Sequence, residues 1–160
     1  MVVIRGTQKL LLWFPPAQPA NEPSTTRLGD WYGNLISLER IRVALFISEL
    51  SRLPVLLPAQ DLPQVATHLM SGLESVLAVL GIPSSLVRAE LTAMIDVRFA
   101  PTNSQSLLGT INDFTRLLEW EFNRNPRAHL LDLSLKLSAT PMRPFGYRNP
   151  ASITAELFKT

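Results

Sequence analysis

From Trp31 onward the chain alternates. Trp31, Gly33 and Leu35 stand against Tyr32, Asn34 and Ile36; then Ile41, Val43, Leu45 and Ile47 stand against Arg42, Ala44, Phe46 and Ser48. A period of two belongs to strands whose faces meet different surroundings. The two runs meet at Glu39-Arg40, which predicts a β-hairpin turning there without the usual Gly or Asn. Val2-Val3-Ile4 is a β-branched triplet and reads as the first strand. Leu53 to Leu57 reads as a further strand, held to a sheet edge by Pro54 and Pro58. Asp96 to Ala100 reads as a short strand stopped by Pro101.

Elsewhere the period changes to three and four. Leu62, Val65, Ala66, Leu69, Met70, Leu73, Val76, Leu77 and Leu80 form one apolar stripe, so a helix is predicted over 61–80. Asp61 is a natural N-cap for it, Pro63 fits its first turn, and Gly81 ends it. Leu86, Val87, Leu91, Met94 and Ile95 predict a second helix over 84–95. Leu107, Leu108, Ile111, Phe114, Leu118 and Phe122 predict a third over 104–122. Asn125-Pro126 and Asn149-Pro150 both read as a cap followed by a first helical residue, the second pair opening a last helix to Phe158. Leu131 to Ser138 alternates like a strand, yet it is Leu-rich and lacks β-branched residues; helix is the better reading. Thr7 caps a short turn through Leu12. Four prolines between Pro15 and Pro23 mark a loop over about 15–27. Strands early and helices late predict an α+β fold: a small antiparallel sheet, including the early hairpin, packed against four to five helices. The 160 residues suit a single globular domain.

Composition narrows the chemistry. Hydrophobic residues make up 46% and charged residues 18%, which is a folded chain rather than a disordered one. The mean hydropathy of +0.15 suggests a covered partner or oligomer surface. Fifteen Lys and Arg against thirteen Asp and Glu leave a net charge of only +2 with no basic run, so nucleic-acid binding is possible but not indicated. Without cysteine there is no disulfide, thiolate metal ligand or thiol nucleophile. The start has a charge at Arg5 and too short an apolar stretch for a signal peptide, and no apolar run nears the roughly 18 residues a bilayer span needs. A cytoplasmic protein without a membrane partner is the expectation.

No phosphate-binding Gly loop, dinucleotide fingerprint, Gly-x-Ser-x-Gly or His-Glu-x-x-His stands in the chain. The two histidines, His68 at the rim of a helix stripe and His129 near a helix start, read as surface residues before they read as bases. Three stretches stand out from the Leu-rich background. Thr7-Gln8-Lys9 is a polar turn or a phosphate contact. Asp30-Trp31-Tyr32 is a turn followed by core anchors, or a carboxylate with two aromatics facing a ligand. Asn103 caps the third helix or helps open an anion site at its N-terminus. Within that helix, Asn112-Asp113 pairs two poor helix formers, either as a solvated Asp113–Arg116 pair or as a reach toward a partner. Gly109, one turn earlier, implies close approach of something, the Trp31 side or a partner backbone. Thr7, Gln8, Lys9, Asp30, Trp31, Tyr32, Asn103, Asn112 and Asp113 are therefore the candidate ligand- or partner-binding residues. No catalytic residue, metal ligand or cofactor follows from them.

The segments Thr7-Gln8-Lys9-Leu10-Leu11, Leu28-Gly29-Asp30-Trp31-Tyr32 and Leu108-Gly109-Thr110-Ile111-Asn112-Asp113-Phe114 resemble the markers of an uncharacterised bacterial family. The likeness implies a bacterial intracellular protein and no particular activity. Where relatives in that family carry an Arg, this chain has Gln105, which removes one anion contact.

Three functions compete. The leading expectation is a non-enzymatic macromolecular interaction module, antitoxin-like or otherwise regulatory, whose partner is another protein or a second copy. The second is a metal-dependent phosphoesterase or nuclease with the metal on Asp30 and Asp113 and phosphate neutralised by Lys9 and Arg5. The third is a nucleic-acid-binding module using Arg5, Arg27, Arg42, Trp31 and Tyr32.

Overall fold

In the computed structural model, which describes residues 1–159, a five-stranded sheet has the order β4-β3-β2-β1-β5. The strands are β1 (Val2–Gly6), β2 (Trp31–Leu38), β3 (Ile41–Ser48), β4 (Pro54–Pro58) and β5 (Val97–Pro101). The predicted hairpin is present, with Leu38 opposite Ile41 and Glu39 at φ +48° in the turn. β4 is the predicted edge strand. The sheet is mixed, however, not antiparallel, because β1 runs parallel to both β2 and β5. Parallel neighbours need a crossover of a dozen or more residues. Here the β1–β2 crossover is the four-residue α1 (Gln8–Leu11) followed by the Pro-rich segment, with no full helix to announce it.

Five more helices follow among the described residues, for six in all: α2 (Val65–Val79), α3 (Ser84–Ala93), α4 (Gln105–Arg124), α5 (Leu130–Ser138) and α6 (Pro150–Leu157). They build two cores on the two faces of the sheet. Trp31, Phe46, Val55 and Leu57 face Leu69, Leu73 and Leu77 of α2. Tyr32, Ile36, Leu45 and Ile47 face Ile111, Phe114 and Leu118 of α4 and Leu133 and Leu137 of α5. Adjacent residues thus go to opposite cores, as the pleat dictates.

Two capping expectations fail. Asp61 does not cap α2. Residues Ala59–Gln64 form a 3₁₀ turn, common at helix starts, and Gln64 holds the cap position. The Asp61 carboxylate faces His68 Nδ1 at 3.5 Å instead. Asn125-Pro126 closes α4 rather than opening a helix. Asn125 N–H donates to Glu121 O (3.0 Å), and its side-chain oxygen accepts from Arg127 N–H (3.3 Å), an Asx turn. The next helix, α5, starts after His129. Ser104 and Asn149 do cap α4 and α6, accepting from Leu107 N–H (3.2 Å) and Ser152 N–H (2.8 Å).

Both sheet edges are covered. Along β4, Leu56 N–H donates to Ser134 Oγ of α5 (3.1 Å). Along β5, Gln18 N–H donates to Phe99 O (3.0 Å), and Arg98 reaches Pro19 O (3.4 Å).

Candidate functional site

At the carboxyl end of β1 the sheet brings several of the marked residues together. Arg5 and Tyr32 are register partners on adjacent strands and point to the same face. Asp30 is buried there, accepting from Val3 N–H (3.2 Å) and from Arg5 Nε (3.3 Å). Arg5 also donates to Pro101 O (3.2 Å), and Glu49 accepts from Asp30 N–H (2.9 Å). The Tyr32 hydroxyl donates to Asn103 Oδ1. Thr7 does not cap α1 with its side chain but donates to Asn34 Oδ1 (2.6 Å). Burial raises the Asp30 carboxyl above its ordinary range, against the lowering effect of Val3 N–H and Arg5. Burial likewise raises the Tyr32 phenol.

The other marked residues lie elsewhere. Trp31 is fully buried in the opposite core, with no acceptor for its indole N–H among the described residues. Gln8 and Lys9 are exposed on α1. Asn112 and Asp113 are exposed on α4, and Asp113 accepts from its i+3 neighbour Arg116. Asp30 and Asp113 therefore have separate partners, and among the described residues no group of three His, Asp or Glu is placed to hold a metal ion. Trp31 and Tyr32 are too deeply buried to offer ring faces to bases. Arg27 donates to Leu157 O (3.1 Å), and Arg42 lies over the Trp13 ring.

A second region carries few of the sequence signals and more open space. Between α4 and residues 140–144 lies a cleft of about 430 Å³, lined by Arg52, Ser106, Gly109, Asp113, Leu117 and Arg143 among others. Arg52 belongs to the β3–β4 turn, where its backbone takes φ +58° and its N–H donates to Ser48 O (2.9 Å). Its side chain is 8% exposed. Nη1 donates to Ser106 O (3.0 Å) and to Thr110 Oγ1, Nη2 donates to Ser106 Oγ (2.7 Å), and the guanidinium lies 5.6 Å from the Phe145 ring centre. Nε–H has no acceptor and no carboxylate pairs with the group among the described residues. Burial accordingly pulls the Arg52 pKa down.

Gly109 faces this cleft. A Cβ built there would meet no atom within 4 Å, so the expected approach of Trp31 does not occur; Trp31 is on the far side of the sheet. The marked Gly109 and Asp113 thus belong to the cleft. Arg52 had no sequence signal beyond a polar turn, Glu49-Leu50-Ser51-Arg52, between two apolar strands.

A further buried carboxylate, Glu90 of α3, accepts from Arg27 N–H (2.8 Å) and Leu28 N–H (3.1 Å), with its pKa raised by burial. It ties the segment before β2 to the helical layer, each oxygen accepting one backbone N–H. Among the described residues no helix is long and apolar enough to cross a membrane. No curated protein matches the chain in sequence. Residues 3–153 match the family model of DUF6933, a domain of unknown function, and the chain belongs to that family.

Proposed function

We propose that the chain is a non-enzymatic interaction module that binds a segment of another protein along the outer face of α4. The observation that carries this reading is Gly109. A glycine inside a 20-residue helix costs about 1 kcal/mol relative to alanine. Neither a turn nor a neighbouring atom of this chain requires it. A backbone or bulky group arriving from outside gives it a purpose.

The same helix face continues the argument. Asp113 and Leu117 follow Gly109 at four-residue steps and line the cleft with it, and Trp120 stands one turn beyond. Leu117 and Trp120 are exposed although they are large and apolar, the composition that interface cores favour. Arg52 and Arg143 line the cleft, while Asp113 is already held by Arg116, so an acidic segment is the complementary occupant.

The test is capture from a bacterial lysate by the tagged chain and by Gly109→Leu and Leu117→Asp variants, each first shown to be folded by its cooperative melt. The expected result is a stoichiometric protein that survives nuclease and is lost with both variants. Capture indifferent to both, nucleic acid that disappears with nuclease, or a homodimer that consumes the α4 face would overturn the reading.

A further inference from the structure

We infer that Arg52 is a carboxylate-binding residue at the floor of the α4 cleft, so that the segment bound there is recognised through a carboxylate, either an Asp or Glu side chain or a chain terminus. This rests on the reading of the cleft as a partner site and names the chemistry of what enters it.

The donor count comes first. A guanidinium has five N–H groups. Three of those of Arg52 are given to Ser106 O, Ser106 Oγ and Thr110 Oγ1, all neutral acceptors on α4. Nε–H, itself fully buried, has no acceptor among the described residues, and the bond to Ser106 Oγ uses only one of the two Nη2–H groups. Charge is the second element. Buried cations are normally paired with an anion, because desolvation penalises a lone charge. Among the described residues the one carboxylate lining the cleft, Asp113, pairs with Arg116.

Backbone is the third. At φ +58° the turn favours glycine, yet the chain holds an arginine there. Ser106 and Thr110 fix the orientation of the guanidinium in the manner of supports behind a binding group. Nε is shut off from the cleft, so the remaining Nη2–H is the donor that can give a charge-assisted bond to a carboxylate oxygen.

The test uses the full chain labelled with ¹⁵N. The Arg52 Nε–H resonance, assigned through bonds, is followed while sodium acetate replaces sodium chloride at constant ionic strength. The expected result is a saturable shift of that resonance. In Gly109→Leu, which keeps Arg52 and fills the cleft, the apparent affinity should fall by about tenfold or more. An Arg52→Lys variant should keep the charge and lose the thermal stabilisation that acetate gives the parent.

A response to chloride equal to that to acetate, a response to inorganic phosphate alone, or an unchanged response in Gly109→Leu would overturn the assignment. The two proposals fail separately. An acetate response with partner capture indifferent to α4 leaves the carboxylate site standing and removes the protein-partner reading. Capture through α4 with Arg52 silent to acetate does the reverse.

Discussion

Arg5 and Arg52 both carry a guanidinium into the interior beside the same face of the sheet, and the chain treats them differently. Arg5 meets the Asp30 carboxylate and the Pro101 carbonyl, and Asp30 is in turn held by Val3 N–H. Arg52 meets hydroxyls, a carbonyl and the Phe145 ring but no carboxylate, and its Nε–H has no acceptor among the described residues. The glycines nearby repeat the contrast. A Cβ at Gly33 would lie 2.6 Å from Phe46, and one at Gly6 would lie 2.9 Å from Phe14. Gly109 faces open space. The strand-end cluster is bonded from within, whereas the α4 cleft is open and no carboxylate of the described residues pairs with its Arg52. A dense group of polar residues can thus bond within itself, while a single side chain elsewhere is left under-satisfied.

That contrast can be broken or sharpened by substitution. Asp30→Ala should have the largest effect. It strands a largely buried Arg5 and leaves Val3 N–H without its acceptor, and should cost about 3–5 kcal/mol in urea denaturation. Gly33→Ala should cost about 1–3 kcal/mol by overpacking against Phe46 and Leu10. At the cleft the sign reverses: Gly109→Ala should raise stability by about 1 kcal/mol. Arg52→Met should change it by less than about 1 kcal/mol, because an unpaired buried charge is exchanged for an apolar chain and Thr110 retains its bond to Ser106 O. If Asp30→Ala and Arg52→Met cost the same, the distinction between the regions is lost.

The finest test is in pH. Burial sets the folded-state pKa values of Asp30 and Glu90 above their ordinary values of 3.8 and 4.5. The folded chain therefore holds those protons longer than the unfolded chain does. Their contribution to stability is fully present below the ordinary values and is lost as pH rises through the raised ones. Side-chain carboxyl NMR titrations should place both midpoints above the ordinary values. A midpoint at or below 3.8 for Asp30 would mean that Arg5 and Val3 outweigh its burial.

Much of this architecture was legible from period and punctuation. The alternation around Glu39-Arg40 gave both hairpin strands, and the stripes of α2, α3 and α4 located those helices. Parallel pairing was not legible, because a crossover made of one short helix and a proline loop leaves no pattern. Asn125-Pro126 misled because an Asn can bond N–H groups at a helix exit as readily as at a helix start. The site was half visible. Gly109 and Asn112-Asp113 stood out as poor helix formers, and both Gly109 and Asp113 line the cleft. The density of polar and aromatic residues around Asp30 pointed to the strand-end cluster, whose groups bond one another. Arg52 is set by the tertiary meeting of the β3–β4 turn with α4, which no local spacing encodes.

The covered edges of the sheet have a consequence for how this molecule can be recognised. β4 gives the outward N–H of Leu56 to a serine of α5, and β5 has the proline-bearing segment drawn across it. Those prolines lack the N–H that a growing ladder would use. At each margin an outward backbone group is thus already bonded, Leu56 N–H on β4 and Phe99 O on β5. Both features work against β-augmentation, in which a peptide extends the sheet, and against edge-to-edge pairing. The proposed contact through α4 needs no strand pairing, and each of its side chains can be altered by one substitution without unpicking the sheet.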